Sequence, residues 1–195
     1  MRRRGCVFCV STGGAAREFI ALQATTMSLI ATSMRRAPTA ALPRALDPLF
    51  CQLAACRDGL EAETTEDRIW SLWMYHPNPT AARALDRATT EIARQCHDIA
   101  ETRLDRLLRR LPDFCEAWNK LATLYFLQAR DEECLESLHH VLLLEPRHFG
   151  AICNVAELAL LRGDVDGAEF AFRCALRINP HLDNVRHRIA DLRNH

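Results

Sequence analysis

AWNKLATLYFLQARDEECLESLHHVLLLEP, residues 117–146, sets two amphipathic stretches either side of a short polar turn. Apolar residues recur three and four apart in both: Trp118, Leu121, Leu124, Tyr125 and Leu127 in the first, then Cys134, Leu135, Leu138, Val141 and Leu142 in the second. Side chains at that spacing share one helical face, so the pattern predicts two helices. Only QARDEE (128–133) separates them, which predicts an antiparallel hairpin. Pro146 ends the second helix, because proline has no N–H to donate and clashes with the preceding turn.

The phrase recurs along the chain. Pro112, Pro146 and Pro180 stand 34 residues apart and close the similar segments RRLPDF (109–114), LLEPRHF (143–149) and RINPHL (177–182). A fixed period of about 34 predicts stacked hairpins, each burying its apolar face against its neighbours. The period ending at Pro180 has Ile152, Val155, Ala156 and Ala159 in its first helix, Gly163 at the turn, and Ala168, Phe172 and Ala175 in its second. Its small residues Ala156 and Ala168 let the two helices approach closely. The period over 81–114 keeps Ala88, Ala100, Leu104, Leu107 and Pro112, with Arg87 and Glu91 in places where apolar residues belong. After residue 182, Val185, Ile189 and Leu192 fall on one side of DNVRHRIADLRNH (183–195), which predicts a C-terminal capping helix.

These residues resemble the tetratricopeptide repeat. Its early aromatic, leucine, small residue and tyrosine are matched by Trp118, Leu121, Ala122 and Tyr125, and its closing proline by Pro146. Cys134, Leu138 and Val141 take the later small and aromatic slots, and Ala156, Gly163, Ala168, Phe172, Ala175 and Pro180 fit the following repeat. The resemblance implies an all-α, right-handed α-solenoid of about three repeats (81–114, 115–148 and 149–182). It also implies a monomeric, non-catalytic protein-interaction module such as a scaffold or adaptor.

In that family the first helix of each repeat lines a concave groove. Here this implies a groove formed by Glu116, Asn119, Thr123 and Phe126 from one repeat and Cys153, Glu157, Leu160 and Leu161 from the next, with Leu85, Thr89 and Ile92 before them. The expected occupant is a peptide segment or helix of another protein, anchored by Phe126, Leu160 and Leu161 and oriented by Asn119 and Glu157. Chaperone-binding members clamp a terminal carboxylate with Lys, Arg and Asn. Asn154 and Arg188 could serve that way, but Asn119, Thr123 and Asn184 stand in the remaining places and Lys120 fills none, so a cochaperone role is not expected.

Residues 1–46 hold seven arginines against Glu18 alone, a balance of +6 that leaves −6 for the rest of a chain with no formal net charge. This basic, Ser/Thr-rich opening has the composition of an organelle transit peptide. The expectation is an unstructured leader over 1–44 and a mature protein in the mitochondrial matrix or plastid stroma. A start at Met27 is the alternative, and a chain without a leader would be cytoplasmic. No apolar run approaches the roughly 20 residues of a membrane span.

Residues 45–79 read as a capping hairpin that covers the exposed N-terminal side of the first repeat. ALDPLFCQLAAC (45–56) offers Leu46, Leu49, Phe50 and Leu53 on one face, and LEAETTEDRIWSLWMYH (60–76) offers Ile69, Leu72 and Trp73. IWSLWM is thus expected to be a packing face rather than a ligand site, and HPNP (76–79) the turn into the first repeat.

The chemistry of an active site is missing from the sequence. Nine cysteines form neither a disulfide framework nor a zinc pattern, and the lone CxxC pair, Cys6 and Cys9, lies in the predicted leader. There is no Gly-rich phosphate loop, GxSxG or HExxH. His139 and His140 are adjacent, about 100° apart on a helix, and read as surface residues. No catalytic residue, cofactor or metal site is therefore expected. RLDRLLRR (103–110) places Arg103, Arg106, Arg109 and Arg110 on one helix, and an organellar RNA-binding helical repeat is the alternative function. The acidic balance beyond residue 46 and the position of these arginines near a helix end fit a solvated face better, so nucleic acid is not the expected partner.

Overall fold

The computed structural model describes residues 12–193, which fold into ten α-helices with no strand among them. Three hairpins form the array: α4 (Pro79–Ala93) with α5 (His97–Arg110), α6 (Cys115–Leu127) with α7 (Asp131–Leu144), and α8 (Phe149–Leu161) with α9 (Val165–Ile178). They stack in chain order, α5 against α6 and α7 against α8, to give an all-α helical solenoid. The final helix, α10 (Asp183–Arg193), closes the end by burying Val185 and Ile189 against α9.

The 34-residue period is written into the backbone as well as the apolar pattern. Gln95, Ala129 and Gly163, each one period apart, have φ of 60°, 55° and 79°. A left-handed residue at this point turns the chain from the first helix of a repeat into the second, and only the third repeat uses the glycine that adopts it without strain. Leu111, Glu145 and Asn179 end the second helices at the same interval. Glu145 and Asn179 are fully buried, and each accepts a hydrogen bond from the backbone N–H two residues on, Arg147 N and His181 N, both at 3.0 Å. Burial of these polar ends is tolerable because they are satisfied there.

The first repeat folds despite its two charged intrusions. Leu85, Ala88 and Ile92 of α4 are buried, Arg87 lies exposed, and Glu91 is bound in two-pronged fashion by Arg103 across the hairpin at 2.6 and 2.8 Å.

The N-terminal region departs from expectation in two ways. Residues 12–44 are not an unstructured stretch. Thr12–Ala31 forms α1, which lies on the side of the array made by the second helices α7 and α9. Phe19 and Ile30 are buried, the Arg162 guanidinium sits 4.0 Å from the centre of the Phe19 ring, and Gln23 Nε2 donates to Asp164 Oδ2 at 2.7 Å. The apolar residues in FIALQATTMSLIA are therefore a docking face, too few for a membrane span but sufficient for one helix on two. None of the described helices is long and apolar enough to cross a membrane. The predicted leader's first eleven residues, with Cys6 and Cys9, lie outside the described residues.

The second departure concerns the hairpin of α2 (Leu46–Ala55) and α3 (Gly59–Met74). Asp58 caps α3 by accepting from Leu60 N and Glu61 N, and Ile69 and Trp73 are buried as the apolar pattern requires. The hairpin does not stack in front of the first repeat, however. α3 packs on α6 and on the first turn of α8, on the side formed by first helices, because its two tryptophans find aromatic partners there. The N-terminal region thus embraces the second and third repeats, with α1 on one face and α3 on the other.

Candidate protein-binding surface

The first helices α6 and α8 carry the residues expected to meet a partner, and the structure divides them into two groups. Those at the helix starts are covered by the chain itself. Glu116 is fully buried and Asn119 is 5% exposed, so neither lines an open groove, contrary to the sequence reading. Glu116 instead accepts from Asn119 Nδ2 at 3.1 Å, pairs with Lys120 Nζ at 3.0 Å, and meets His148 Nε2 at 3.2 Å.

The tautomer of His148 follows from its other nitrogen. Nδ1 accepts the Ala151 N–H at 3.1 Å as the cap of α8, so Nε2 carries the proton and donates it to the Glu116 carboxylate. Burial pushes the Glu116 carboxyl upward, but the hydrogen bond from His148, the Lys120 charge and the hydrogen bond from Asn119 outweigh that and hold it below the usual carboxylate range. Trp73 covers the imidazole face to face, with ring centroids 4.0 Å apart and planes at 8°. Trp70 meets Phe149 edge-on at 5.6 Å. A Cβ at Gly150 would come within 2.7 Å of Trp70, so only glycine permits this approach. One turn before Trp70, at the middle of α3, Glu66 Oε2 accepts from Asn179 Nδ2 at 2.7 Å, and Arg147 reaches Asp47 of α2 at 2.7 Å.

The second group lies toward the C-terminal ends of the same helices and stays open. Phe126 is 38% and Leu161 68% exposed, with Leu160 and Thr123 half-buried. Glu157, expected to orient a partner, is held by Arg188 of α10 in a two-pronged pair at 2.6 and 3.0 Å. Cys153 is half-buried, and burial, with the Glu157 and Glu66 carboxylates nearby, pushes its thiol up to about 12, which makes it inert as a nucleophile. Ahead of them Leu85 and Ile92 are buried in the first repeat, and only Thr89 is partly accessible.

Among the described residues no group of three His, Cys, Asp or Glu side chains is placed to hold a metal ion. His139 and His140 are not simple surface residues. His139 Nδ1 lies 2.9 Å from Thr26 Oγ1 of α1, and His140 stacks on Trp118 at 4.3 Å. Sequence reasoning missed the Glu116–His148–Trp73 cluster, whose members are 75 residues apart at the extremes. The available signal was a histidine just before a first helix, at a position equivalent to Phe114 in the repeat before it.

Buried helical hairpins in 34-residue register, joined by recurring left-handed turns, define an α-solenoid of repeat type. In fold and repeat pattern the chain is similar to tetratricopeptide-repeat proteins. No protein-family model matches it. Over 113 residues, 58% of its length, it is 33% identical to a TPR repeat-containing protein of Rhizobium etli, and it spans 55% of that relative's length. Its fold is similar to that of the solved structure MamA MSR-1 C2, with a TM-score of 0.50 and 20% identity over 75% of this chain and 81% of that one. A solved structure of a MamA mutant gives a TM-score of 0.49 at 20% identity, covering 75% of this chain and 82% of the other.

Proposed function

We propose that the protein is a non-catalytic interaction module that holds a peptide segment or helix of another protein on the open part of its first-helix face. The observation that carries this reading is the pair Phe126 and Leu161, large apolar side chains left exposed near the ends of α6 and α8 where α3 does not reach. Interface energy concentrates in a few well-buried anchor side chains, and burying Phe126 and Leu161 against a partner would remove their apolar surface from water. Thr123 and Leu160 flank them, and the self-occupied starts of the same helices confine a partner to this half of the surface.

The basic opening of the chain supports a further reading, that residues 1–44 carry an organelle address, with action in the mitochondrial matrix or plastid stroma.

The test is crosslinked affinity purification of the full-length protein from its own cells, beside a Phe126→Ala, Leu161→Ala variant shown by circular dichroism to fold normally. A protein recovered with the wild type and lost with the variant supports the reading and reveals the compartment. Identical recovery with both removes it.

A further inference from the structure

Among the described residues, none covers the end of the array that the hairpin was expected to close. The outer side of the first repeat carries a groove of about 560 Å³ between α4 and α5. Its floor is apolar, with Ala81 and Leu107 buried and Ala84 half-buried, and Ile99 stands beside it 55% exposed. On the opposite side of the same two helices α6 packs, so the repeat's own geometry shows what such a groove takes: one more helix, laid against α4 and α5 as the neighbouring repeat lays its own.

The rim states the chemistry of that helix. Arg103, Arg106 and Arg110 follow one another along α5 at successive turns and line the groove, opposed by a single lining acid, Asp98, at the helix start. Arg103 is neutralised by Glu91. Among the described residues, neither Arg106 nor Arg110 has a carboxylate within ion-pair distance, and both are exposed. An apolar floor beside unpaired arginines complements an amphipathic helix with acidic residues along one flank of its apolar stripe. The chain's own candidates carry the wrong charge, since residues 1–11 hold three arginines and no acid, and α10 holds three arginines against two aspartates.

We propose that the α4–α5 end groove docks an acidic amphipathic helix of a partner protein, which continues the solenoid by one helix. This surface is separate from the one holding Phe126 and Leu161, so either reading can fail without the other.

The test uses the full chain and a fluorescein-labelled synthetic helix of about 18 residues, five turns long, with leucines at i, i+3, i+4 and i+7 and glutamates flanking them. A counterpart carries lysines in place of the glutamates. The glutamate peptide is expected to bind at about 0.15 M salt and to shift amide resonances of α4 and α5. Arg106→Glu with Arg110→Glu should weaken it about tenfold or more and make the lysine peptide the tighter ligand, because each charge pair has been inverted. Ala84→Trp, which fills the floor and leaves the arginines in place, should block both peptides. Thermal melts confirm that each variant folds.

Equal binding of the two peptides, no binding of either, or shifts confined to α6 and α8 would each overturn the proposal. So would a dimer in sedimentation that Arg106→Glu dissolves, which would give the groove to a second copy. Binding of a single-stranded RNA oligomer at this face more tightly than the glutamate peptide would also overturn it.

Discussion

Trp73 lies flat on the imidazole of His148, 75 residues further along the chain, with their ring centres 4.0 Å apart. At the edge of the imidazole, Nε2–H donates a hydrogen bond to Glu116, so three residues from α3, the α7–α8 junction and α6 form one buried cluster. This cluster fixes the α2–α3 hairpin on the first-helix face and covers the starts of α6 and α8.

Removing its members should be costly in different ways. Trp73→Ala leaves a large cavity and is expected to lower stability by about 3 kcal/mol or more. His148→Ala leaves the Glu116 carboxylate buried with less compensation, and about 3 kcal/mol is expected. Adding Glu116→Gln to His148→Ala should then cost less than the sum of the two single changes. Urea denaturation of the wild type and these variants reads both the losses and the coupling.

The turns between helices offer a gain. Gln95 and Ala129 adopt the left-handed conformation that Gly163 adopts freely. Gln95→Gly and Ala129→Gly should each stabilise by about 1 kcal/mol, because the strain relieved exceeds the entropy lost in the unfolded chain. Gly163→Ala should destabilise by a similar amount. Thermal melting checks all three, and a lower Tm for Ala129→Gly would contradict the argument.

Mild acid should loosen the protein through the histidines beneath α1 and Trp118. Burial, then the neighbouring His140 and Arg36 charges, hold His139 below the ordinary imidazole range, and burial does the same to His140. A histidine depressed in the folded state takes up its proton more readily when unfolded. Its contribution is therefore intact above the unfolded value of about 6.5 and declines as pH falls below it. Stability measured at about pH 7.5 and 5.5 should fall across this window, and His139→Gln with His140→Gln should flatten the change. Glu116 acts at lower pH, where protonation of its depressed carboxyl removes stability as pH falls below the ordinary carboxylate range.

Deleting residues 1–44 should lower the melting temperature, because Phe19 and Ile30 leave the face formed by α7 and α9 and expose it to water. If the same residues are an organelle address, the N-terminus of the protein isolated from its cells shows how much of α1 the working form keeps. N-terminal sequencing of that material gives the answer directly.

Much of the array was legible because the repeat is local. Apolar spacing in 117–146, the prolines 34 residues apart and the small residues Ala156 and Ala168 specify hairpins within a single period. The site was less legible because its decisive contacts are not local. Whether Glu116 faces a partner or the interior depends on where Trp73 lands, and no periodicity within α3 chooses between the front of α4 and the side of α6 and α8. Composition concealed the packing of α1: its arginine and hydroxyl residues match an unstructured stretch, while Phe19 and Ile30 are few enough to pass unnoticed until α7 and α9 bring them a surface.

α3 occupies the starts of α6 and α8 in the free protein. Amide hydrogen exchange of the full-length chain tests this most directly, compared with a Trp73→Ala variant. We expect the amides of α3 to be protected nearly as well as those of α6 in the wild type, and to lose that protection in the variant while α6 to α9 retain theirs. Rapid exchange throughout α3 in the wild type, beside a protected array, would show the hairpin to be free and the whole first-helix face to be open.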